Sequence, residues 1–282
     1  MAAENYISAI NGDALFVPAK AATVYAAHEQ SLFLGGELIP VVNAPNGVLQ
    51  VPEISKVTAQ TVSGSEGTVD LETRLPTLTK NTITCDLYGA RSVVRDLGAI
   101  DPNEIGRSLG MSIAAAFDAA VVDVFGDFTA QEKTGAAGTG TLVIDDIAEA
   151  VATIRGNGET GQLYGVVSTT EYVSLMGDIG STAFAGGDVF QGQALRSGFF
   201  GNIMGVQMFV SSYLTGANMA GETNPYAAIF SADAMRIAMQ KNVDLEIARR
   251  PEAVGRDVVA SLHAGVGLID ANRGVLIKND AT

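Results

Sequence analysis

The stretch from Asp101 to Phe128 contains the strongest structural signal in the sequence, and it limits the possible folds more than any other. Asp101 is a good N-cap, Pro102 suits the first helical position, and Glu104 completes an arrangement like a capping box. Beyond them, apolar residues recur at four-residue spacing, the main ones being Ile105, Leu109, Ile113, Phe117 and Val121. The pattern predicts one helix of about 25 residues, which would span roughly 37 Å.

Two glycines interrupt this predicted helix. Gly106 and Gly110 should each weaken it by roughly 1 kcal/mol relative to alanine. Their presence points to close packing against another element, although an ordinary core helix also accounts for this segment taken alone.

Residues 41 to 92 have the alternation typical of strands. Gly47–Val51 and Thr68–Leu75 are predicted strands on either side of a polar tip, Thr61–Gly67. Thr82–Tyr88 alternates again and would place three residues on one face: Ile83, Cys85 and Leu87. The pattern predicts an extended β-hairpin, which is marginally stable alone. It would need a partner surface, either within the chain or on another copy.

The other predicted elements are shorter. They comprise a helix near the N-terminus, a helix followed by a strand, two further strands, a long antiparallel pair and a closing strand. In chain order they are Ala21–Leu34, Ile144–Arg155 with Gln162–Ser168, Val206–Val210, Tyr226–Phe230, Lys241–Arg249 with Asp257–Asp270, and Val275–Ile277. Asp233–Gln240 is predicted as a turn that leads into the long pair, and Pro251–Gly255 as the turn within it.

The sequence GNGETG, Gly156–Gly161, matches the G-x-G-x-x-G pattern of dinucleotide-binding loops. In such loops the motif leaves a strand and opens a helix, so that backbone N–H groups and the helix dipole point at the phosphates. Here the predicted order is reversed, because a helix precedes the motif and a strand follows it. The loop is therefore expected to cap a helix C-terminus, and a nucleotide-dependent enzyme is only a third hypothesis.

The composition restricts the possible partners. The chain has 282 residues, a formal net charge of −14 and only 17% charged residues, against about a quarter in typical globular domains. Proteins that grip nucleic acid usually carry a basic face, and the nearest feature here is the small group Arg249, Arg250 and Arg256. We expect no tight binding of nucleic acid, although a container whose wall does not adhere to it is compatible with this charge.

The cysteine count and the hydropathy of the chain exclude several kinds of site and segment. Cys85 is the single cysteine, so neither an intramolecular disulfide nor a cysteine-based zinc site can form. The N-terminus lacks the pattern of a signal peptide. No apolar stretch reaches about 18 residues without polar interruption, so no membrane span is expected.

The sequence contains no constellation that predicts catalysis. His28 and His263 are far apart, and the G-x-S-x-G, H-E-x-x-H and phosphate-loop motifs are absent. Asp145 and Asp146 open a predicted helix, where acids favour the macrodipole without any metal. Asp118 is five residues from the next carboxylate on the long helix, a poor spacing for a pair on one face. We predict no enzyme activity, no cofactor and no metal.

The order of the predicted parts resembles the major capsid proteins of tailed bacteriophages, which have the α+β Hong Kong 97-type fold. That order is arm, long hairpin, long helix, α/β segment, long antiparallel pair and closing strand. The three best local matches are the hairpin running into the long helix, the glycine-punctuated entry to a strand, and the tail. They are Thr68–Phe128, LRSGFFGNIMGVQMFVSSYL at Leu195–Leu214, and AAIFSADAMRIAMQKNVDLEIARRPE followed by GRDVVASLHAGVGLIDANRGVLI.

The resemblance implies a division into the parts of that family. Residues 1–40 would be the N-terminal arm and 41–92 the extended loop (E-loop) with its strands. The peripheral (P) domain would comprise 93–140 and 236–270, with the long helix as its spine. The axial (A) domain would comprise 141–235 and 271–282, with a central sheet and helices.

The family also implies partners and a location. Its members form hexamers and pentamers that build an icosahedral shell around double-stranded DNA in the virion, assembled in the host cytoplasm. A portal and separate scaffolding or decoration proteins would be further partners, and no membrane is involved. An encapsulin-type nanocompartment shell, which stores a protein cargo, is the alternative with the same fold.

Seven charged residues are the candidates for contacts between subunits. Four lie in the predicted hairpin, Glu66, Asp70, Glu72 and Arg74, and would set its register on a neighbour more than its affinity. Lys56 lies before the hairpin tip, and Arg249 and Arg250 lie at the end of the first strand of the long pair. Two departures from the family are expected. The chain has no long N-terminal scaffolding segment, and the lysine–asparagine cross-link of one family member is not carried over.

Overall fold

The computed structural model of the chain describes residues 19–54, 57, 59, 75–95, 102–133, 140–179, 201–220, 222 and 224–279. Residues 19–30 are helical and are called α1. The other helices are α2 (Pro102–Val124), α3 (Ile144–Gly156) and α4 (Thr169–Ile179). The strands are β1 (Val41–Asn43), β2 (Val48–Ile54), β3 (Leu78–Thr84), β4 (Asp86–Arg95), β5 (Thr129–Lys133), β6 (Leu163–Ser168), β7 (Asn202–Ile203), β8 (Val206–Ser211), β9 (Pro225–Ser231), β10 (Met235–Arg250), β11 (Gly255–Leu268) and β12 (Gly274–Asn279).

A four-stranded sheet in the order β1-β10-β11-β4 carries the long helix α2 against it. β10 and β11 form an antiparallel pair of 16 and 14 residues. β4 pairs with β11 antiparallel, and β1 pairs with β10 parallel. The apolar ridge of α2 is buried at Leu109, Ile113, Phe117 and Val121, because four-residue spacing keeps these side chains on one helical face. The predicted long helix and long antiparallel pair are both confirmed.

A six-stranded mixed sheet, in the order β5-β12-β9-β6-β8-β7, forms a second body with α3 and α4. Its central strand β9 is buried along its whole length, as a run of apolar residues without alternation predicts. The predicted strand Val206–Val210 corresponds to β8, and the predicted closing strand is β12, which lies between β5 and β9.

The N-terminal segment is part of the core. The arm predicted over residues 1–40 was expected to pack over another element, and its described part packs on the chain's own α2. Phe33, Leu34, Leu38 and Ile39 are all buried in the same apolar cluster as α2. The ring of Phe33 meets that of Phe125 edge-to-face, with their centroids 5.8 Å apart.

The hairpin differs from its prediction in its second strand. β2 pairs antiparallel with β3, and most of the predicted strand Thr68–Leu75 and tip Thr61–Gly67 lie outside the described residues. Thr82–Tyr88 is not one strand, because the chain leaves β2 at Thr84 and joins β11 from Asp86 onward. Cys85 lies between the two strands, and its N–H donates to the carbonyl of Gly47 over 2.8 Å.

The predicted division of the chain into arm, E-loop, P domain and A domain stays a prediction. β1 and most of β4 (Asp86–Arg95) lie within 41–92, the predicted E-loop, and both strands belong to the four-stranded sheet. The pairing of β10 also begins at Met235, so Asp233–Gln240 is not one turn. The turn is confined to 232–234, because the apolar run that starts at Met235 is buried in the sheet.

Among the described residues, one helical segment, Asn103–Asp127, is long and apolar enough to satisfy a length-and-hydropathy criterion for crossing a membrane. Such a segment was not predicted from the sequence. The criterion is met because Asp118 is the sole charged residue between Arg107 and Asp123. Half of the apolar stretch is buried inside the protein, as in a core helix.

Candidate assembly surfaces

The outer face of the β2–β3 hairpin is uncovered, and four of its eight paired residues are apolar: Val48, Pro52, Ile54 and Leu78. The residues of this face pair across the two strands, and all of them are exposed: Val48 with Thr84, Gln50 with Thr82, Pro52 with Lys80, and Ile54 with Leu78. Ile54 is 67% exposed and Leu78 55%. A two-stranded ribbon is marginally stable without a further layer, so this face is the first candidate for contact with another molecule.

The inner face of the hairpin is held tightly by the chain's own β11. Asn81 Nδ2 donates to the carbonyl of Ile269 over 2.7 Å, and Ile83 is buried. A Cβ atom on Gly265 would lie 2.1 Å from the carbonyl oxygen of Thr84, and one on Gly267 would lie 2.6 Å from Cγ1 of Ile83. The base of the hairpin is therefore fixed, while its outer face remains available.

The turn end of the β10–β11 pair is the second candidate surface. Arg249 lies directly opposite Arg256 across the two strands, and Arg250 lies opposite Gly255. Arg249 is exposed and Arg250 is partly exposed. The predicted candidates Arg249 and Arg250 thus lie together with Arg256 at one end of the molecule, a local concentration of positive charge in a chain of net charge −14.

An ion pair that sequence reasoning missed borders this basic end. Arg91 on β4 donates two hydrogen bonds from Nε to the carboxylate of Asp257, at 2.7 and 3.0 Å, and a third from Nη2. The guanidinium of Arg91 lowers the pKa of Asp257, and the charge of Arg250 lowers it further. The two residues are 166 positions apart, so no local pattern could have indicated the pair.

The remaining five predicted contact residues cannot be placed. Lys56, Glu66, Asp70, Glu72 and Arg74 all lie outside the described residues. Their role at a subunit contact stays a prediction.

The GNGETG loop has the geometry of a helix C-terminus. α3 ends at Gly156, and Gly158 takes a left-handed φ of +89°, which glycine adopts without steric cost. Arg155 Nη1 donates to the carbonyls of Glu159 and Gly161, and Glu159 Oε1 accepts from the N–H of Gly161. The motif therefore follows a helix and does not open one, which is contrary to a phosphate-binding loop.

A polar cavity of about 420 Å³ lies at the carboxyl ends of β6 and β8. Four of its side chains bond to one another or to the backbone: those of Ser168, Thr170, Glu171 and Tyr226. Ser168 Oγ is 2.8 Å from Thr170 Oγ1, and Glu171 Oε2 accepts from the N–H of Leu142 over 2.8 Å. Neither His28 nor His263 lines it, and in the described part of the chain no three His, Cys, Asp or Glu residues are grouped as metal ligands would be.

Solved phage capsid structures are similar to this chain along most of its length. The chain is similar to the capsid of cyanophage P-SCSP1u, with a TM-score of 0.69 and 14% identity over 90% of both chains. It is also similar to the mature capsid of bacteriophage PhiM1, with a TM-score of 0.67 and 15% identity over 89% of this chain and 88% of that one. These likenesses define the fold class, which is the Hong Kong 97-type fold.

A third similar structure is a virus-like particle from Pyrococcus furiosus. Its TM-score is 0.64, with 12% identity over 93% of this chain and 99% of that one. No curated protein sequence matches the chain.

The sequence itself identifies the family. The profile of the family described as Phage capsid protein matches residues 92–277, which include α2, both long strands and the six-stranded sheet except the last two residues of β12. The chain belongs to this family and is a protein of the virion capsid shell.

Proposed function

We propose that the chain is the major capsid protein of a tailed phage, assembling into hexamers and pentamers that enclose double-stranded DNA. A portal, and scaffolding or decoration proteins where they are needed, would be its partners. The observation that carries this proposal is the hairpin, which is anchored on one face and exposes an apolar surface on the other. Such a surface supports lasting contact with a neighbouring copy.

A structural role without catalysis is part of the proposal. It is supported by the family match and by the cavity, in which Ser168 and Thr170 bond to each other and Glu171 bonds to the backbone. The net charge of −14 supports a wall that encloses DNA without binding it tightly.

The direct test is negative-stain electron microscopy of the purified chain after size-exclusion chromatography. Closed shells, or rings of five or six subunits, are the expected result. A chain that remains a monomer at high concentration, with its hairpin ordered, would contradict the proposal.

Lysine at both Ile54 and Leu78 should prevent assembly while the subunit remains folded. The two residues are paired on the outer face and exposed, so charge there costs the free subunit little but must be desolvated at a contact. We expect at least about a hundredfold rise in the concentration needed for assembly, since a contact loss of roughly 3 kcal/mol corresponds to that factor.

Valine at the same two positions is the matched control. It retains an apolar, strand-favouring side chain and should assemble as the wild type does. Normal shells from the lysine variant would show that this face is not a subunit contact.

The alternative is an encapsulin-type shell with a protein cargo. The similarity to the Pyrococcus furiosus particle, which covers 99% of that chain, is the observation that favours it. Purified particles from the native source distinguish the two: double-stranded DNA inside supports the phage capsid, whereas one specific enclosed protein supports the alternative.

A further inference from the structure

The helix α1 crosses α2 at backbone contact distance. A Cβ atom on Gly106 would lie 2.4 Å from the carbonyl oxygen of Ala19, and one on Gly110 would lie 2.3 Å from that of Thr23. Ala27 continues the same face of α1 one turn later, and its N atom would lie 3.2 Å from the Cβ atom on Gly110. The two glycines that weaken α2 thus form the groove into which α1 fits, and any side chain larger than hydrogen would displace it.

A buried carboxylate holds the end of α1 to the same helix. Asp118 on α2 is 1% exposed. Its Oδ1 accepts from the hydroxyl of Ser31 over 2.5 Å, and its Oδ2 accepts from the N–H of Leu32 over 3.0 Å. Ser31 Oγ in turn accepts from the N–H of Leu34 over 3.0 Å. This network fixes the point at which the chain leaves α1.

Two further residues of α1, Lys20 and His28, reach β10 where the β10–β11 ladder is irregular. The register shifts between Met239 and Lys241 and again between Lys241 and Asp244. Each shift inserts an extra residue in β10, which bends the strand and increases its twist. The irregular segment, residues 239–244, is therefore the natural bending point of the long pair.

Charged groups of α1 and β10 meet at this bending point. Lys20 Nζ of α1 is 2.5 Å from Asp244 Oδ1, and Lys241 Nζ is 3.0 Å from Asp244 Oδ2. The hydrogen bonds from Lys20 and then Lys241 lower the pKa of Asp244 to about 2. His28 Nε2 lies 3.5 Å from Asn242 Nδ2, so both ends of α1 reach this part of β10.

The ten residues that connect α1 to β1, 31–40, are packed against the chain's own core. Five of them are buried: Ser31, Phe33, Leu34, Leu38 and Ile39. After Pro40 the chain enters β1, which pairs with β10 from Ile237 to Met239. The carbonyl of Pro40 accepts from the N–H of Ile237 over 3.1 Å. These contacts join α1 to the four-stranded sheet within one chain.

We propose that α1 is a cross-brace, which fixes the bend of the β10–β11 pair relative to α2 and thereby sets the curvature at which subunits join. Only the second half of this inference, the curvature at which subunits join, rests on the proposed shell function. Its first half, mechanical coupling between the α1 groove and residues 239–244, is a property of a single subunit. Releasing α1 from the glycine groove should loosen a part of β10 that the mutation does not touch.

Hydrogen exchange on the unassembled subunit tests the coupling. Gly110→Ala should raise exchange in α1 and in residues 240–246 by about tenfold or more, because both open when α1 leaves the groove. Gly177→Ala is the matched control, since Gly177 is also helical and a Cβ atom there meets open space. Asp244→Asn leaves α2 untouched and removes the charge that Lys20 contacts, so it should raise exchange in the same segment of β10.

Two outcomes overturn the proposal. In the first, Gly110→Ala raises exchange in α1 and leaves residues 240–246 as in the wild type. In the second, the loosened variants form shells whose diameter distribution equals that of the wild type by cryo-electron microscopy. A wild-type chain that never forms shells would contradict the proposed function and not the coupling, which the exchange measurement decides by itself.

Discussion

Replacing Gly265 with alanine is expected to release the hairpin from the body of the subunit and to abolish shell formation. The new Cβ atom would lie 2.1 Å from the carbonyl oxygen of Thr84 and 3.1 Å from Cα of Cys85. Both are backbone atoms of the segment that joins β3 to β4, so no side-chain rotation can relieve the overlap. Overpacking of this kind costs typically 1–3 kcal/mol, and here the strain falls on the contacts that hold β2 and β3.

The comparison needs a second glycine that tolerates a methyl group. Gly156→Ala serves, because a Cβ atom at this position meets nothing within 4 Å. We expect Gly265→Ala to raise hydrogen exchange throughout β2 and β3 and to eliminate particles in electron micrographs, with Gly156→Ala unchanged in both. Wild-type particles from Gly265→Ala would mean that the hairpin need not be seated for assembly.

Removing the carboxylate of Asp118 should have the second largest effect. In Asp118→Ala the hydroxyl of Ser31 and the N–H of Leu32 lose their acceptors inside the core. Buried donors without a partner cost about 1–3 kcal/mol each, so we expect a loss of roughly 3 kcal/mol in the free energy of unfolding. Asp118→Asn retains an acceptor oxygen and should remain within about 1 kcal/mol of the wild type at neutral pH.

The pH dependence separates the charge of Asp118 from its hydrogen bonds. Burial raises the pKa of Asp118 above the ordinary value of 3.8, although the bonds from Ser31 and Leu32 oppose the shift. An acid with a raised pKa holds its proton more tightly in the folded state, so its contribution to stability is full at low pH and is lost as the pH rises through the folded-state pKa. The wild type should therefore lose stability relative to Asp118→Asn as the pH rises above the ordinary pKa of 3.8.

Urea unfolding of the unassembled subunits at several pH values measures this difference. The asparagine does not titrate, so every other ionisable group cancels in the comparison. A difference that does not change with pH would show that folding does not raise the pKa of Asp118, contrary to the effect of its burial.

Elements with a strong local pattern could be predicted from the sequence. The apolar ridge of α2, the uninterrupted apolar run of β9 and the alternation in the β10–β11 pair each follow from side-chain periodicity. The glycines of α2 also indicated a close contact, although the sequence could not say which element fills the groove. The composition also excludes an intramolecular disulfide, since Cys85 is the single cysteine.

Partners far apart in the chain could not be predicted. Asp118 was set aside as a carboxylate poorly spaced for catalysis, whereas its acceptors serve Ser31 and Leu32, some 86 residues earlier. Alternation continued through Cys85 and therefore hid the change of partner between β3 and β4. For the same reason Leu87, predicted on the face of the buried Ile83, is 65% exposed. The signal for Asp118 was available, because an isolated acid in an apolar helical stretch needs a buried partner.

The packing of α2 on β11 also has a consequence during synthesis of the chain. About 130 residues separate the end of α2 at Val124 from the start of β11 at Gly255, the strand on which the helix packs. At a synthesis rate of about 5–20 residues per second, the part of the apolar face of α2 that packs on β11 stays uncovered for roughly 7–26 seconds after α2 is made. High expression of this chain should therefore occupy chaperones that bind exposed apolar helices, and yield should rise when such a chaperone is supplied with it.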